Sequence, residues 1–417
     1  MAIAISQEAF DAMVRENMED LGMDADEALA DAVEVLSLQG ADLSGIIKRV
    51  PGEAAAAEVS PVVRVLDELK ASHSSSGGLR QDLDGLVSLI DELRDLCCSG
   101  DGSENTAIAV RNGGVEALVG LCASARIEQE RLLASALKAL SSMLRDVGST
   151  EKFRQSEGPK IVMDILKGGS ESSDLLDAGF SVVAAGSAGN EVVKESFMDL
   201  KVDELILHVM REKSKTNVQS LYDAIRVLLT PDDNRVVASQ DEICRSISEN
   251  GGIDVLLQCI GEAGEQKNKV IARSCCSLLS KLAASDANKS VIIQQGGFDR
   301  FLKLTSRFSE DPSIIQEVMS MVTVLTLRSP ENAARAMEAG YGTLAIQAMQ
   351  RFPSSGQTQK QACLMIRNLV VRNPENRTIL LNDGAEKLIR KAKGMHGSCK
   401  DAASSALRDL GLDNYNA

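Results

Sequence analysis

A glycine corner returns along this chain at a nearly fixed interval, and that recurrence limits the possible folds more than any other feature. Around residue 296 the sequence reads Asn288-Lys289-Ser290-Val291-Ile292-Ile293-Gln294-Gln295-Gly296-Gly297-Phe298-Asp299-Arg300-Phe301-Leu302: an asparagine, a short apolar helix, a Gly-Gly break and a second helix. Corresponding breaks fall at Gly113, Gly158, Gly251, Gly296, Gly340 and Gly384, with gaps of 45, 93, 45, 44 and 44 residues. The gap of 93 is two periods with one break missing, and Met198-Asp199-Leu200-Lys201 stands in its place. Asn288, Asn332 and Asn376 keep the same time. A helix ends most readily at a residue that accepts positive φ, and glycine does so without a clashing Cβ. One such cap is weak evidence; six in register specify a repeated supersecondary unit.

Each break is followed by a helix, as over 115–122, 253–260 and 344–349, then by a variable loop and a longer helix, as over 131–144, 270–283 and 359–371. Three helices per period of 42–45 residues is the armadillo/HEAT length. An ordinary chain of 417 residues would form two or three globular domains. A repeat array escapes that rule, because each unit packs only on its neighbours. The composition agrees: 44% apolar residues supply a continuous core, while 3% aromatics and no Trp make it one of Leu, Ile, Val, Ala and Met.

Ahead of the repeats lies an acidic segment. Residues 1–70 hold 15 Asp and Glu against five Lys and Arg. Phe10, Met13, Val14, Met18 and Leu21 make one helical stripe, ended by Gly22. Asp24, three before Glu27, opens a second helix with Leu29, Val33 and Leu36 as its stripe, ended by Gly40. A third short turn is expected over 42–47, stopped by Pro51, and a further helix over 60–71. The division expected is an acidic helical segment over 1–71, a flexible linker over 72–80 and a solenoid over 81–417.

The register Asn-x₂-x-Ile-x₂-x-Gly-Gly-x-x-x-Leu, closed by a helix such as Ile366-Arg367-Asn368-Leu369-Val370, resembles the armadillo repeat family over about residues 103–412, in seven units. Gly158-Pro159 replaces Gly-Gly in the second unit, and the third has no Gly break. Ile5-Ser6-Gln7-Glu8-Ala9-Phe10-Asp11-Ala12-Met13-Val14-Arg15-Glu16-Asn17, with Gln39-Gly40-Ala41-Asp42-Leu43-Ser44, is similar to the opening of the armadillo repeat-containing protein 6 family. The resemblance implies an all-α, right-handed superhelical solenoid whose third helices line a concave face. Nuclear-import adaptors of this class hold basic peptides with Trp and Asn on those helices. Here the Asn position holds Asn368 in one unit and Ala139, Lys281, Val324 and Asp409 in others, so that device is not expected.

No chemistry stands out. His73, His208 and His396 are scattered, and no Cys-x₂-Cys or His-x₃-His spacing offers a metal face. Cys97-Cys98 and Cys275-Cys276 are adjacent pairs, whose side chains diverge on a helix, and they read as small core residues. There is no Walker-type loop and no Gly-x-Ser-x-Gly. Neither an enzyme nor a cofactor is expected. The start Met1-Ala2-Ile3-Ala4-Ile5 meets Glu8 and Asp11 too soon for a signal peptide, and no 18-residue apolar run exists. With nine cysteines and no export signal, the expected location is cytoplasmic, and also nuclear, with reduced thiols and no membrane contact. The two sequons, at Asn288 and Asn376, read as chance.

Charge points to a partner. The net of −15 argues against general nucleic-acid binding. Yet the third-helix segments hold fourteen cations against six carboxylates. The residues singled out are Lys138, Arg145, Arg226, Arg273, Lys281, Arg367, Asn368, Arg372 and Arg408. The plain alternative is that these are ordinary solvated side chains. The functional reading is a scaffold or adaptor holding an extended, acidic segment of another protein in a groove. The acidic N-terminal helices are expected to dock on that face or to cap the first repeat. A second class of reading is a helical-repeat RNA-binding protein, which the acidic balance and the scarcity of stacking aromatics disfavour.

Overall fold

The computed structural model describes residues 3–43, 46, 48, 50, 60–74, 83–99, 102–212, 218–232 and 237–412. These form 25 α-helices and one two-residue strand pair. The chain divides into two compact units, Met1–Val202 and Asp203–Ala417.

The first unit opens with a helical hairpin, α1 (Gln7–Glu19) and α2 (Ala25–Leu38). Ser6 caps α1 by accepting from the Ala9 N–H at 3.2 Å, and Asp24 caps α2 by accepting from Glu27 at 2.8 Å. The hairpin has its own core of Phe10, Val14, Ala28, Ala32, Leu36, Leu43 and Ile46. The buried face of α2 is turned toward Ala28 and Ala32, with Leu29 and Val33 packed at its edge, because small residues let two helices approach closely. Leu21 lies beyond the end of α1 and is 63% exposed. A parallel pair, β1 (Ile3–Ala4) with β2 (Ala41–Asp42), ties the two ends of the hairpin together. That tie takes residues 41 and 42, at the start of the expected third turn; residues 44, 45 and 47 lie outside the described residues.

Two helices follow, α3 (Pro61–Ser74) and α4 (Leu83–Cys98). The helix expected to end at 71 runs on to Ser74, and the rest of the expected linker, 75–80, lies outside the described residues. Helix α3 packs on α4 and on the two helices after it, α5 (Gly102–Arg111) and α6 (Gly114–Ser124).

Seven helical triplets complete the chain. The first joins α5 and α6 to α7 (Glu130–Met143). The second is α8 (Val147–Gln155), α9 (Gly158–Gly168) and α10 (Ser173–Ser187). The third is α11 (Glu191–Asp199), α12 (Val202–Glu212) and α13 (Gln219–Leu228), and the unit boundary falls at the start of α12. The fourth is α14 (Val237–Glu249), α15 (Gly252–Glu265) and α16 (Lys269–Leu282). The fifth is α17 (Asp286–Gln294), α18 (Gly297–Arg307) and α19 (Pro312–Thr326). The sixth is α20 (Pro330–Ala339), α21 (Tyr341–Arg351) and α22 (Gly356–Val370). The seventh is α23 (Pro374–Asn382), α24 (Ala385–Met395) and α25 (Lys400–Asp409).

The corner between first and second helices is left-handed in every triplet. Positive φ falls on Gly113, Glu157, Lys201, Gly251, Gly296, Gly340 and Gly384. In the second triplet the corner residue is thus Glu157, not Gly158. In the third, Lys201 adopts φ 66° without a glycine. The second glycine of the break has a different task. A Cβ on Gly297 would stand 2.7 Å from the Ile292 carbonyl oxygen, and one on Gly158 would strike the Phe153 ring at 2.2 Å. One residue makes the turn and the next lets the second helix close on the first.

The periodic asparagine also has a physical role. Asn288, Asn332 and Asn376 each donate from Nδ2 to a carbonyl ending the preceding third helix, those of Leu282, Leu325 and Leu369, at 2.8, 2.9 and 2.8 Å. These carbonyls lack intrahelical partners, so the amide satisfies them in the core.

Candidate partner-binding surface

Within each unit the third helices stack on one another. Helix α4 packs on α7, and α7 on α10, in the first unit. Helices α13, α16, α19, α22 and α25 stack in that order in the second. Their inward faces are apolar, as Ile271, Cys275, Leu278, Leu279 and Leu282 show on α16, so Lys and Arg are left to the exposed side.

Most of the cations singled out in the sequence are already engaged there. In the first unit, Arg131 pairs with Asp84 of α4 at 2.9 Å. Arg145 donates to the Cys97 carbonyl at 3.0 Å, capping α4. The Lys138 side chain is exposed and makes no hydrogen bond or ion pair among the described residues. In the second unit, Arg226 pairs with Asp223 at 3.2 Å and Lys281 donates to the Thr230 hydroxyl at 3.0 Å. Burial and the neighbouring Arg226 lower the Lys281 ammonium pKa. Lys269 and Arg273 of α16 reach Asp311 and Glu317 of the α19 segment at 3.0 and 3.5 Å. Arg367 and Arg408 share Asp409, at 3.2 and 2.7 Å. Asn368 donates to the Thr323 carbonyl at 2.8 Å, so its amide holds two helices together. Arg372 is exposed and unpaired among the described residues.

Among the described residues, these side chains thus divide into some held by partners on the same or a neighbouring helix and a remainder, Lys138 and Arg372, facing solvent. Exposed pairs of this kind contribute about 0–1 kcal/mol each. Their main effect is to cancel charge that the sequence count treated as available.

Other polar features are structural. Seven of the nine cysteines are buried. Cys259 and Cys275 hydrogen-bond to each other and to Tyr222 inside the second unit; that bonding lowers the Cys259 thiol pKa, while burial raises that of Cys275. His396 contacts the Pro353 carbonyl at 2.7 Å. Among the described residues no group of three or more His, Cys, Asp or Glu could hold a metal ion, and no helix is long and apolar enough to cross a membrane. Among the described residues, contacts between the N-terminal segment and the first triplet include Arg111 donating to the Ile5 carbonyl at 3.2 Å and Lys48 pairing with Glu104 at 3.6 Å.

Known proteins with similar sequence or fold agree with this architecture. Residues 2–73 match the model described as the Armadillo repeat-containing protein 6 N-terminal domain, and residues 182–412 match that described as LRRK2 ARM repeat. Armadillo repeat-containing protein 6 from Homo sapiens is 26% identical over 392 residues, covering 90% of this chain and 75% of that protein. The Drosophila melanogaster homolog is 24% identical over 387 residues, covering 82% and 81%. A solved structure from work on the interaction between cadherin and beta-catenin superposes with a TM-score of 0.64 at 15% identity, covering 96% of this chain and 69% of its own. An engineered protein superposes with a TM-score of 0.55 at 16% identity, covering 98% and 100%.

Proposed function

This chain belongs to the armadillo repeat family, and from that premise we propose that it is a non-enzymatic scaffold holding an extended, acidic segment of another protein. Armadillo repeat proteins are in general protein-interaction scaffolds. The observation that carries the reading here is the stack of third helices in each unit, which offers a regular ladder of exposed side chains with Lys138 and Arg372 unpaired. An interaction with cadherin is described for beta-catenin, the neighbour in fold. A comparable mode is proposed for this chain, with a partner defined by its charge. In this proposal the third-helix pairs, such as Arg273 with Glu317, open and re-form around an incoming carboxylate.

RNA binding is not favoured. Phe153, Phe180, Phe197, Phe301 and Tyr341 are all fully buried, so the aromatic surfaces on which bases would stack are used in the core.

The division into segments belongs to the same proposal, with α3 assigned to the repeats. The acidic hairpin caps the first repeat, supported by the Arg111 and Lys48 contacts, and the whole works in the cytoplasm or nucleus. The test is fluorescence anisotropy of a labelled glutamate-rich peptide with the full chain at low ionic strength. Binding should weaken as salt shortens the screening length toward roughly 3 Å at 1 M. Charge reversal at Arg273 and Arg367 should weaken it further. Absence of binding at low salt overturns the reading.

A further inference from the structure

A second set of corners joins each third helix to the next first helix, and two of them share one backbone. In one, Ala188 (φ −70°, ψ 120°) precedes Gly189 at φ 72° and the cap Asn190. In the other, Leu327 (φ −62°, ψ 121°) precedes Arg328 at φ 59° and the cap Ser329. The left-handed region favours glycine, and Gly189 shows that glycine meets the geometric need. Arg328 accepts an unfavourable conformation and adds a guanidinium.

That guanidinium lines a cavity of about 300 Å³ between α17 and α20, together with Asp286, Lys289, Glu331 and Arg335. Lys289 is buried and satisfied, by Asp286 at 2.7 Å and the Leu327 carbonyl at 3.2 Å. The Arg328 and Arg335 side chains are exposed and make no hydrogen bond or ion pair among the described residues, though Arg328 is near enough to Asp286 to help Lys289 lower its pKa. Three cations thus face two carboxylates, leaving one positive charge. A single carboxylate neutralises it, whereas a phosphomonoester dianion would exceed it beside Asp286 and Glu331. At the next corner the apolar-Arg pair recurs as Val371 and Arg372, but Val371 is helical and Arg372 is not left-handed; Asn373 donates to the Pro330 carbonyl at 2.9 Å, tying the two corners together. Leu327 and Val371 remain 46% and 43% exposed beside their arginines.

We propose that these corners form a ledge for an extended segment of a partner protein. A Glu or Asp side chain of the segment enters the cavity between Arg328 and Arg335, and its apolar neighbours lie on Leu327 and Val371. The inference rests on the scaffold reading and moves the contact to the corners that follow the third helices, which of the residues singled out above include only Arg372.

The experiment uses the full chain and three fluorescein-labelled peptides, Ser-Leu-Glu-Leu-Ser and its variants with Gln or phosphoserine in place of Glu, read by anisotropy at low salt. Arg328→Gly keeps the corner and removes only the guanidinium, so its fold should match the parent by circular dichroism. Arg328→Gly and Arg335→Gln should each weaken the Glu peptide at least tenfold, Arg307→Gln on α18 should not, and the Gln peptide should bind no variant. Unchanged affinity in both corner variants overturns the inference, and loss only on Arg273→Glu overturns it while leaving the scaffold reading intact. Tighter binding of the phosphoserine peptide overturns the carboxylate assignment. If no acidic peptide binds the parent chain, both readings fall.

Discussion

Alanine at Gly296 and at Gly297 should both loosen the fifth triplet, for different reasons, and glycine at Glu157 should tighten the second. A Cβ at Gly296 would meet nothing within 4 Å, so its cost is conformational alone. Holding a residue with a Cβ in the left-handed region costs about 1–2 kcal/mol. At Gly297 the backbone is ordinary, but the Cβ would lie 2.7 Å from the Ile292 carbonyl oxygen and 2.8 Å from its Cγ2. The oxygen belongs to the backbone and cannot rotate away, so the first and second helices must separate, at the roughly 1–3 kcal/mol typical of overpacking. Glu157 already holds φ 57°, with its side chain in solvent. Glycine there relieves the same conformational cost but frees the unfolded chain by about 0.4–1 kcal/mol, for a net stabilisation of roughly 0.5–1 kcal/mol.

The assay is hydrogen exchange by mass spectrometry, because a repeat array opens locally and a single midpoint would average the effect away. Peptides from α17 and α18 should exchange about 5–30 times faster in Gly296→Ala, where 1–2 kcal/mol is at stake. Gly297→Ala should match or exceed that, and Glu157→Gly should slow exchange in α8 and α9. If Glu157→Gly accelerates exchange as much as Gly296→Ala, positive φ is not what the corner requires. If Gly297→Ala is silent, the close approach of the two helices is not what the second glycine serves.

Two further outcomes follow from groups outside the corners. Burial holds the Cys122 and Cys363 thiols up at about 12, whereas Cys98 is exposed, so iodoacetamide should modify Cys98 first in the folded chain, and peptide mapping that finds equal rates at the three would contradict the packing. Burial would raise the Asp311 carboxyl, but hydrogen bonds from Ser313 and Lys269 outweigh it and hold the group at about 2, below its ordinary 3.8. A depressed carboxyl stabilises the fold above its ordinary value and loses that contribution as pH falls toward 2. The stability gap between the parent and Asp311→Asn, followed by circular dichroism during acid titration, should therefore close between about pH 4 and pH 2; a constant gap would refute the assignment.

The repeat was legible because its signal is redundant. Glycine, asparagine and apolar stripes mark each unit independently, so the loss of one, as at Lys201, leaves the others to hold the register. The N-terminal hairpin was legible in its helices, since Asp24 caps α2 where the pattern places it. Its strand pair was not, because two residues at each end carry no alternation that could announce a sheet. The corner in the second triplet was misplaced by one residue for a similar reason. Glycine marks both the residue that turns and the residue that is crowded, and only backbone geometry separates Glu157 from Gly158.

The candidate surface was harder to read, although a usable signal was present. A count of cations on one helical layer assumes that they are independent. In a repeat array, residues one period apart are neighbours in space. Arg131 and Asp84 are 47 residues apart, and Arg367 and Asp409 are 42. Carboxylates at that separation, Asp311, Glu317 and Asp409, take Lys269, Arg273 and Arg367 out of the surplus. There is one exception of the opposite kind. Arg328 and Arg372 are 44 residues apart, on successive corners, and neither side chain forms an ion pair among the described residues, although Arg328 is near enough to Asp286 to help Lys289 lower its pKa. An array that only had to fold would place opposite charges there, as it does between Arg367 and Asp409. These two arginines are therefore the part of the charge pattern that folding does not explain, and they are where an external carboxylate has something to neutralise.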